Sequence, residues 1–497
     1  MKHQLFQPLI NHNGQLQVQI REQLVAAILD GCLDASTPLP PSRKLAQQLH
    51  VGRNTVVNVY ERLLSEGYLV SRERSGYFVN PTLKLETAAL AETLVNAETT
   101  GPLTSPGPDW GKRLHTDNLP QNRSAQAGNW KRFDYPFIYN QLDPKLFPVN
   151  EWRECCRDSV RVRDIQDWSS DHDDGDDRLL IEQIRKRILP RRGIIAKEGE
   201  VLITLGSQHG LYLLSQLLLD GDTTLGIEDP GYPQVANIAR LQSARIKPLE
   251  VDDEGLVVSD EMNDCQLLYT TPSHQCPTTV TLSLERRHQL LKKARDEDLI
   301  LIEDDYESEI NFDSAPTPAL KCLDSDGRVI YLGSLSKTLA PGLRIGILVG
   351  PAALITRARQ LRHLMLKHPP VNNQRAVALF IKRGFHDSLT RKLATEFKTR
   401  CQNMSAALET HFSGVYAIPE GGSSIWIRLP NYVDSRRLKE MAREQGILLQ
   451  SGDFYFQRQD APKNFIKLGF SAISADRIEP GIAKLAELLR TLQSSQQ

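Results

Sequence analysis

The residues with the clearest chemistry run Ser334-Leu-Ser336-Lys337-Thr-Leu-Ala-Pro341-Gly342-Leu-Arg344-Ile-Gly346. One amine stands beside two hydroxyls, and a Pro-Gly turn separates it from a guanidinium seven positions on. A lysine amine kept reactive condenses with an aldehyde to a Schiff base, while hydroxyls and a planar guanidinium suit a phosphate ester. An aldehyde and a phosphate on one molecule describe pyridoxal phosphate. A bare Ser-x-Ser-Lys in a loop is more often plain surface, so the partners brought by the rest of the chain decide between the two.

Between residues 200 and 350 short β-type runs are followed by helical patterns, which predicts an α/β fold with a mostly parallel sheet. Five of the runs end on polar punctuation. Val201–Thr204 is followed by Gly206-Ser207-Gln208, 223–227 by Glu228-Asp229-Pro230-Gly231-Tyr232-Pro233, and Leu267–Thr270 by Pro272-Ser273-His274-Gln275. The run 299–302 leads into Glu303-Asp304-Asp305-Tyr306, and 329–332 leads into the lysine stretch. Open α/β sheets bind ligands just past the carboxyl ends of their strands. Ser207 and Gln208 open a helix predicted over 208–219, whose N-terminus suits a phosphate, although Gly-Ser before a helix is commonly only a cap. Tyr232 can lay its ring on a pyridine face, or be an ordinary core tyrosine. Asp304, a carboxylate at the end of a buried strand, needs a partner, and a protonated pyridine nitrogen is one. Tyr306 can hydrogen-bond the cofactor's phenolic oxygen, and His274 is a further contact in the same region. Beyond residue 371, helical patterns over 374–383, 389–410, 435–445 and 475–492 alternate with short β runs such as 424–429, which predicts a smaller α+β domain.

The first 80 residues read differently. Apolar positions at helical spacing (Leu16, Ile20, Leu24, Ala27, Ile28) end at Gly31. Ser42 is placed to cap a short helix running to Leu49, and the turn Val51-Gly52 leads into a second helix from Arg53. Two short helices joined by a glycine turn form a helix-turn-helix pattern, and Tyr68 to Val79 reads as a β-hairpin wing with Ser75-Gly76 at its tip. Eight Lys/Arg against six Asp/Glu in this segment is weak evidence for nucleic acid. The positions of Arg43, Arg53, Arg72 and Arg74, at helix starts and in the wing, are better evidence, since phosphates and base edges are met there. From periodicity alone, a small module docking on the larger domain fits as well.

Residues 81–129 carry little apolar pattern beyond a short helix predicted over 88–95, and read as an interdomain linker. The expected division is therefore 1–80, 81–129 and 130–497. Lys/Arg and Asp/Glu nearly cancel, for a formal charge of −1, so net charge names no partner. Seven cysteines without C-x-x-C or zinc spacing predict no metal site and fit free buried thiols in a reducing cytosol. No leader in residues 1–10 and no long apolar run are found, and a soluble cytoplasmic protein with no membrane partner is expected.

With Pro341, Gly342, Arg344 and Gly346 all in place, the lysine stretch resembles the cofactor signature of fold-type I PLP proteins, the aspartate aminotransferase superfamily. Leu39-Pro40 through Val79 resembles the winged helix-turn-helix of the GntR family, with Pro41 and Gly52 where serines are common. Together, and with Phe147-Pro148-x-x-x-Trp152 and Thr271-Pro272-Ser273-His274-Gln275, the chain resembles the MocR/GabR regulators. That resemblance implies a PLP-dependent transcriptional regulator whose Lys337 Schiff base senses an amine-bearing effector or PLP itself. Ser207, Ser334, Ser336 and Arg344 would hold phosphate, with Gln208 beside them; Tyr232, Asp304 and Tyr306 would hold the ring.

Arg53, Asn54 and Thr55 would enter the major groove of double-stranded DNA, Ser42 and Arg43 would hold the backbone, and Arg74, Ser75 and Gly76 would form the wing contact. A homodimer is implied, and a domain swap is compatible with it. Two positions depart from the enzyme pattern. Gln275-Cys276-Pro277 replaces an Asn-Pro string, and Lys467 stands where aminotransferases carry the arginine that grips a substrate carboxylate. Arg presents a bidentate fork and Lys a point charge. Lys467, or Arg428 in its place, is the expected effector-binding residue. A true aminotransferase with an N-terminal DNA-binding or dimerisation module is the alternative, and a cofactor-free dimer scaffold is a third.

Overall fold

The structure, a computed structural model, describes residues 15–33, 35–73, 75–83, 108–114, 129–139, 141–169, 175–312, 317–412, 414–458 and 460–494. Arg74, the helix expected over 88–95, most of the 81–129 segment and residues 1–10 lie outside the described residues. The chain divides into two compact units, Met1–His115 and Thr116–Gln497.

In the first unit, α1 (Leu16–Leu29) buries Ile20, Leu24 and Ile28, one face at helical spacing, and Gly31 at φ +70° takes the left-handed conformation just past its end. The helix α2 (Ser42–Gln48) and α3 (Arg53–Ser65) pack on that face through Leu45, Val56, Val59, Tyr60 and Leu63. Each such aliphatic side chain contributes roughly 1.5–3 kcal/mol by burial. Tyr60 donates its hydroxyl to the Pro40 carbonyl at 2.7 Å and ties α3 to the entry of α2. Ser42 is the first residue of α2 and not its cap, contrary to expectation: Pro41 holds the cap position, with no side-chain capping bond. Strands β1 (Leu69–Arg72) and β2 (Gly76–Val79) pair antiparallel with Arg72 opposite Gly76, which is the wing.

In the second unit, β3 (Tyr135–Pro136) precedes an eight-stranded sheet. Its strands are β4 (Val201–Thr204), β5 (Thr224–Asp229), β6 (Arg245–Asp252), β7 (Gly255–Leu256), β8 (Leu267–Thr270), β9 (Ile300–Asp305), β10 (Val329–Ser334) and β11 (Gly346–Val349). Their spatial order is β4-β11-β10-β9-β8-β5-β6-β7. The block β10, β9, β8, β5, β6 is parallel; β11 runs antiparallel to both β10 and β4, so β4 points the same way as the block. All five strands expected to carry polar punctuation therefore end at one edge. The strands β6, β7 and β11 are additions to that expectation, β7 being only the two residues Gly255–Leu256. Charged residues interrupt the apolar run of β6, and β11 is buried at all four positions, so neither shows the period-2 alternation of a half-buried strand.

A second sheet comprises β12 (Val415–Tyr416), β13 (Ser424–Arg428), β15 (Gln450–Ser451) and β16 (Phe465–Gly469), antiparallel in the order β12-β13-β16-β15, while β14 (Ile447–Leu448) pairs parallel with β3. Helices Phe385–His411, Ser435–Glu444 and Ile478–Ser494 contribute buried apolar residues to the same core as this sheet, giving the smaller α+β portion. All seven cysteines are free; Cys32 and Cys322 are exposed, so not all are the buried thiols expected. Among the described residues no helix is long and apolar enough to cross a membrane.

Candidate functional site

One cavity at the carboxyl edge of the large sheet is lined by nine of the ten expected cofactor residues. Ser207 and Gln208 come from the start of helix Ser207–Leu218, Tyr232 from the loop after β5, and Asp304 and Tyr306 from the end of β9. Ser334, Ser336, Lys337 and Arg344 come from the β10–β11 connection. Tyr139, Tyr269 and Cys276 line it too. Lone aromatic residues in apolar runs carry no signal of their own, and only the fold brings these two tyrosines here.

Glycines let the side of the cavity formed by Ser207 and Arg344 close up. Gly206, at φ +82°, precedes the helix, and a Cβ on it would lie 2.7 Å from the Arg344 guanidinium. On β11, a Cβ at Gly346 would lie 2.4 Å from the Gly206 carbonyl carbon, so the strand approaches the loop only without a side chain there. Arg344 donates to the Leu205 carbonyl at 2.9 Å and itself sits at φ +51°. A left-handed arginine costs on the order of 1–3 kcal/mol, which the surrounding contacts offset. Ser336 donates its backbone N–H to Ser334 Oγ at 3.3 Å, while its own hydroxyl has no partner among the described residues.

Opposite this corner, Tyr269 donates its hydroxyl to Asp304 Oδ2 at 2.8 Å, and Asp304 Oδ1 has no partner among the described residues although the residue is buried. Burial lifts the Asp304 carboxyl to about 7, against the pull of the Tyr269 bond. A carboxyl raised above its unfolded value adds stability that is whole below about pH 4 and is lost as the pH rises through about 7. Relative to Asp304→Asn, the cofactor-free wild-type chain is therefore expected to lose melting temperature across that window; thermal melts of both chains at a series of pH values check this.

Burial draws the Lys337 amine down to about 8, with the Glu307 carboxylate resisting and the Lys467 ammonium assisting. Its Nζ lies 4.8 Å from the Tyr139 ring centroid and 5.4 Å from that of Tyr306. Lys467 Nζ lies 3.9 Å from the same Tyr139 centroid, so both amines stand close to one ring. Lys467 is 1% exposed and, among the described residues, makes no ion pair. The faces of Tyr139 and Tyr455 lie within 6 Å of this buried amine, at 3.9 and 5.6 Å.

Two expected positions fall elsewhere. His274 is buried but does not line the cavity: its ring packs against Gly421, where a Cβ would lie 2.9 Å from Cε1, and neither ring nitrogen has a partner. Burial holds its imidazole below the ordinary range. Arg428 is exposed at the outer end of β13 and lines a separate groove with Trp426, Phe456 and Arg458. Gln275 is a strut, donating to Glu228 at 3.1 Å and to the Pro230 carbonyl at 2.8 Å, so the ends of β5 and β8 are tied together. The neighbouring Cys276 thiol, and not Gln275, faces the cavity.

In the first unit, Arg43, Arg53 and Asn54 are exposed at the starts of α2 and α3, and neither arginine makes an ion pair among the described residues. Ser42 and Thr55 are half-buried beside them, and Ser75 and Gly76 are exposed in the turn of the wing. Arg72 is committed to the Phe78 ring, 4.3 Å from its centroid. Arg21 and Arg62 both pair with Glu66 at the far end of α3, which leaves the start of that helix as its free cationic end.

Residues 16–79 match the family of bacterial regulatory proteins of the gntR type, and residues 175–485 match aminotransferase class I and II. The chain is 38% identical over 482 residues to the HTH-type transcriptional regulator TauR of Rhodobacter capsulatus, covering 96% of this chain and 97% of that protein. It is 30% identical to a probable rhizopine catabolism regulatory protein, MocR, of Rhizobium meliloti, covering 96% and 94%. The α-aminoadipate aminotransferase LysN of Thermus thermophilus, solved in complex with N-(5'-phosphopyridoxyl)-L-leucine, superposes with a TM-score of 0.71 at 26% identity, over 78% of this chain and all of LysN.

Proposed function

This chain belongs to the TauR- and MocR-like HTH-type transcriptional regulators, in which a GntR-type DNA-binding head is joined to an aminotransferase-like domain, and from that premise we propose that it holds pyridoxal phosphate on Lys337 and responds to an amine-bearing effector. The observation that carries the reading is a pair of orphaned buried atoms, Asp304 Oδ1 and Ser336 Oγ, on residues that line one cavity with Lys337. Buried polar atoms are rarely left without partners. A ring nitrogen for the carboxylate and a phosphate for the hydroxyl supply both, so the residues present fit the group.

When bound, pyridoxal phosphate supplies an aldehyde carbon open to amines. The chain's own residues do the rest. Ser207, Gln208, Ser334, Ser336 and Arg344 receive the phosphate, where the backbone N–H groups of a helix start add their dipole. Tyr232 would cover a ring face, Asp304 would meet the ring nitrogen, and Tyr306 would meet the phenolic oxygen. The depressed Lys337 amine is partly uncharged at neutral pH and so able to attack. Lys467 would receive an acidic group on the effector as a point charge beside Tyr139, without the fork of an arginine. An amine that competes with Lys337 while its acid end engages Lys467 binds one arrangement of the chain better than another, and only such a difference shifts an equilibrium.

The proposed division is a winged head over 1–80, a linker over 81–129 and the effector domain over 130–497, acting on DNA as a cytoplasmic homodimer. The test is a visible absorbance scan of the purified chain with pyridoxal phosphate while primary amines bearing carboxylate, sulfonate or phosphonate ends are titrated in, with DNA binding followed in parallel. The expected result is a shift in absorbance together with a change in DNA affinity. A chain that never takes up colour overturns the reading.

A further inference from the structure

Behind the lysine loop lies a row of polar groups that holding the cofactor does not use. Thr338, next to Lys337 and 2% exposed, donates its hydroxyl to Glu309 Oε2 at 2.7 Å. The same oxygen stands 3.3 Å from His386 Nε2, and His386 Nδ1 stands 3.8 Å from Asp387 Oδ1. Arg191 closes the row by pairing with Asp387. His386 is wholly buried in the first turn of helix Phe385–His411. Burial alone would strip the imidazole of its proton, yet the Glu309 carboxylate, with Asp387 beside it, outweighs that and lifts it to about 9. Burial likewise works against the Glu309 charge, and His386 wins by holding that carboxyl below its ordinary value. Wholly buried His386 and half-buried Glu309 form an ion-pair contact at neutral pH, although neither ring nitrogen of His386 makes a hydrogen bond among the described residues, and removing one member of such a pair is strongly destabilising.

The same helix reaches the other cation of the site. Three to four turns after His386, Phe397 packs edge-on to Phe470 with centroids 6.2 Å apart, and Arg400 donates to the carbonyls of Phe470 and Ser471 at 3.3 and 3.0 Å. Phe470 directly follows β16, the strand that carries Lys467. One helix thus meets the Lys337 loop by way of Glu309 near its start and, near its middle, meets the segment that directly follows the Lys467 strand. At the joint Glu309 has room to move: it borders a cavity of about 250 Å³, and its Oε1 has no partner.

We propose that Glu309 and His386 are positioning residues whose ion pair holds Thr338, and with it the Lys337 amine, to helix Phe385–His411, which links the lysine loop to the Lys467 strand. What the positioned amine does rests on the cofactor reading above; that it is held this way does not. The test uses the full chain and the variants Thr338→Val, Thr338→Ser and Glu309→Gln, with two readouts. In the cofactor-free chain, amide hydrogen exchange across residues 334–343 is expected to quicken at least tenfold in Thr338→Val and Glu309→Gln, and to stay at the wild-type rate in Thr338→Ser. With pyridoxal phosphate as probe, Thr338→Val is expected to bind about tenfold more weakly and to shift the pH at which the bound chromophore changes colour, with Thr338→Ser restoring both. Wild-type exchange in Thr338→Val and Glu309→Gln, or equal effects of Val and Ser at 338, overturns the proposal. Should Thr338→Val fail to fold, Glu309→Gln, isosteric with the native side chain, decides it. A wild-type chain that takes up no pyridoxal phosphate overturns the cofactor reading, while the exchange comparison still decides this one.

Discussion

A Lys337→Ala chain is expected to stay colourless in pyridoxal phosphate and to bind it at least about 100-fold more weakly, a loss of ~2.7 kcal/mol or more. The phosphate corner and Asp304 survive that substitution, so a weak non-covalent affinity remains while the visible absorbance and the response of DNA binding to amines disappear together. The wild-type chain provides a matching kinetic signature. Burial sets the Lys337 amine at about 8, and only the uncharged form attacks a carbonyl. At pH 7 roughly one tenth of the chains carry it uncharged, so the rate of colour development should rise about tenfold as the pH passes through 8 and then level. Stopped-flow absorbance over pH 6–10 measures this. An unchanged spectrum in Lys337→Ala would remove the sensing mechanism outright.

The second large effect is expected at the start of α3. Arg53 is exposed there with no ion-pair partner among the described residues, and the neighbouring Arg62 is held by Glu66 at the other end of the helix. On a duplex selected by the wild-type chain from a random pool, Arg53→Ala should weaken binding by roughly 10- to 100-fold, or about 1–3 kcal/mol, as expected for an arginine reading a base edge. Arg43→Ala should lower affinity more evenly across sequences and flatten the dependence of log K on log salt by about one unit, because a phosphate contact releases a counterion. Fluorescence anisotropy at several salt concentrations separates the two. Binding that ignores salt would remove DNA-backbone roles from both arginines.

These expectations differ in how much of them was legible from residue order. Local punctuation carried the cofactor chemistry, since a Lys beside serines, a Pro-Gly turn and an arginine are contiguous, and the α/β class followed from strand ends that share one kind of residue. Helix α3 and the wing were legible for the same reason: a period of 3.6, then two short β runs about a glycine. Three assignments required distance in space. His274 looks like a ligand in its motif, yet tertiary packing turns it against Gly421. Arg428 is as plausible as Lys467 on paper, but β13 ends beyond the cavity while β16 carries Lys467 to the ring of Tyr139. Gln275 occupies an asparagine's usual place, and its amide is consumed by Glu228 and Pro230.

By itself the sequence determined which groups are reactive and which short elements hold them, because spacing of up to a few turns is set by the helix and strand repeats. Which of those groups share a cavity was decided only by the tertiary structure. Strand order β4-β11-β10-β9-β8-β5 brings together residues more than a hundred positions apart, from Ser207 to Lys337; Tyr139 joins the same cavity from ahead of the sheet, and Lys467, which does not line it, stands against the ring of Tyr139. The lysine stretch is legible as a cofactor site from its own thirteen residues, whereas the ion pair of Glu309 and His386 behind it depends on contacts 77 residues apart that no local pattern encodes.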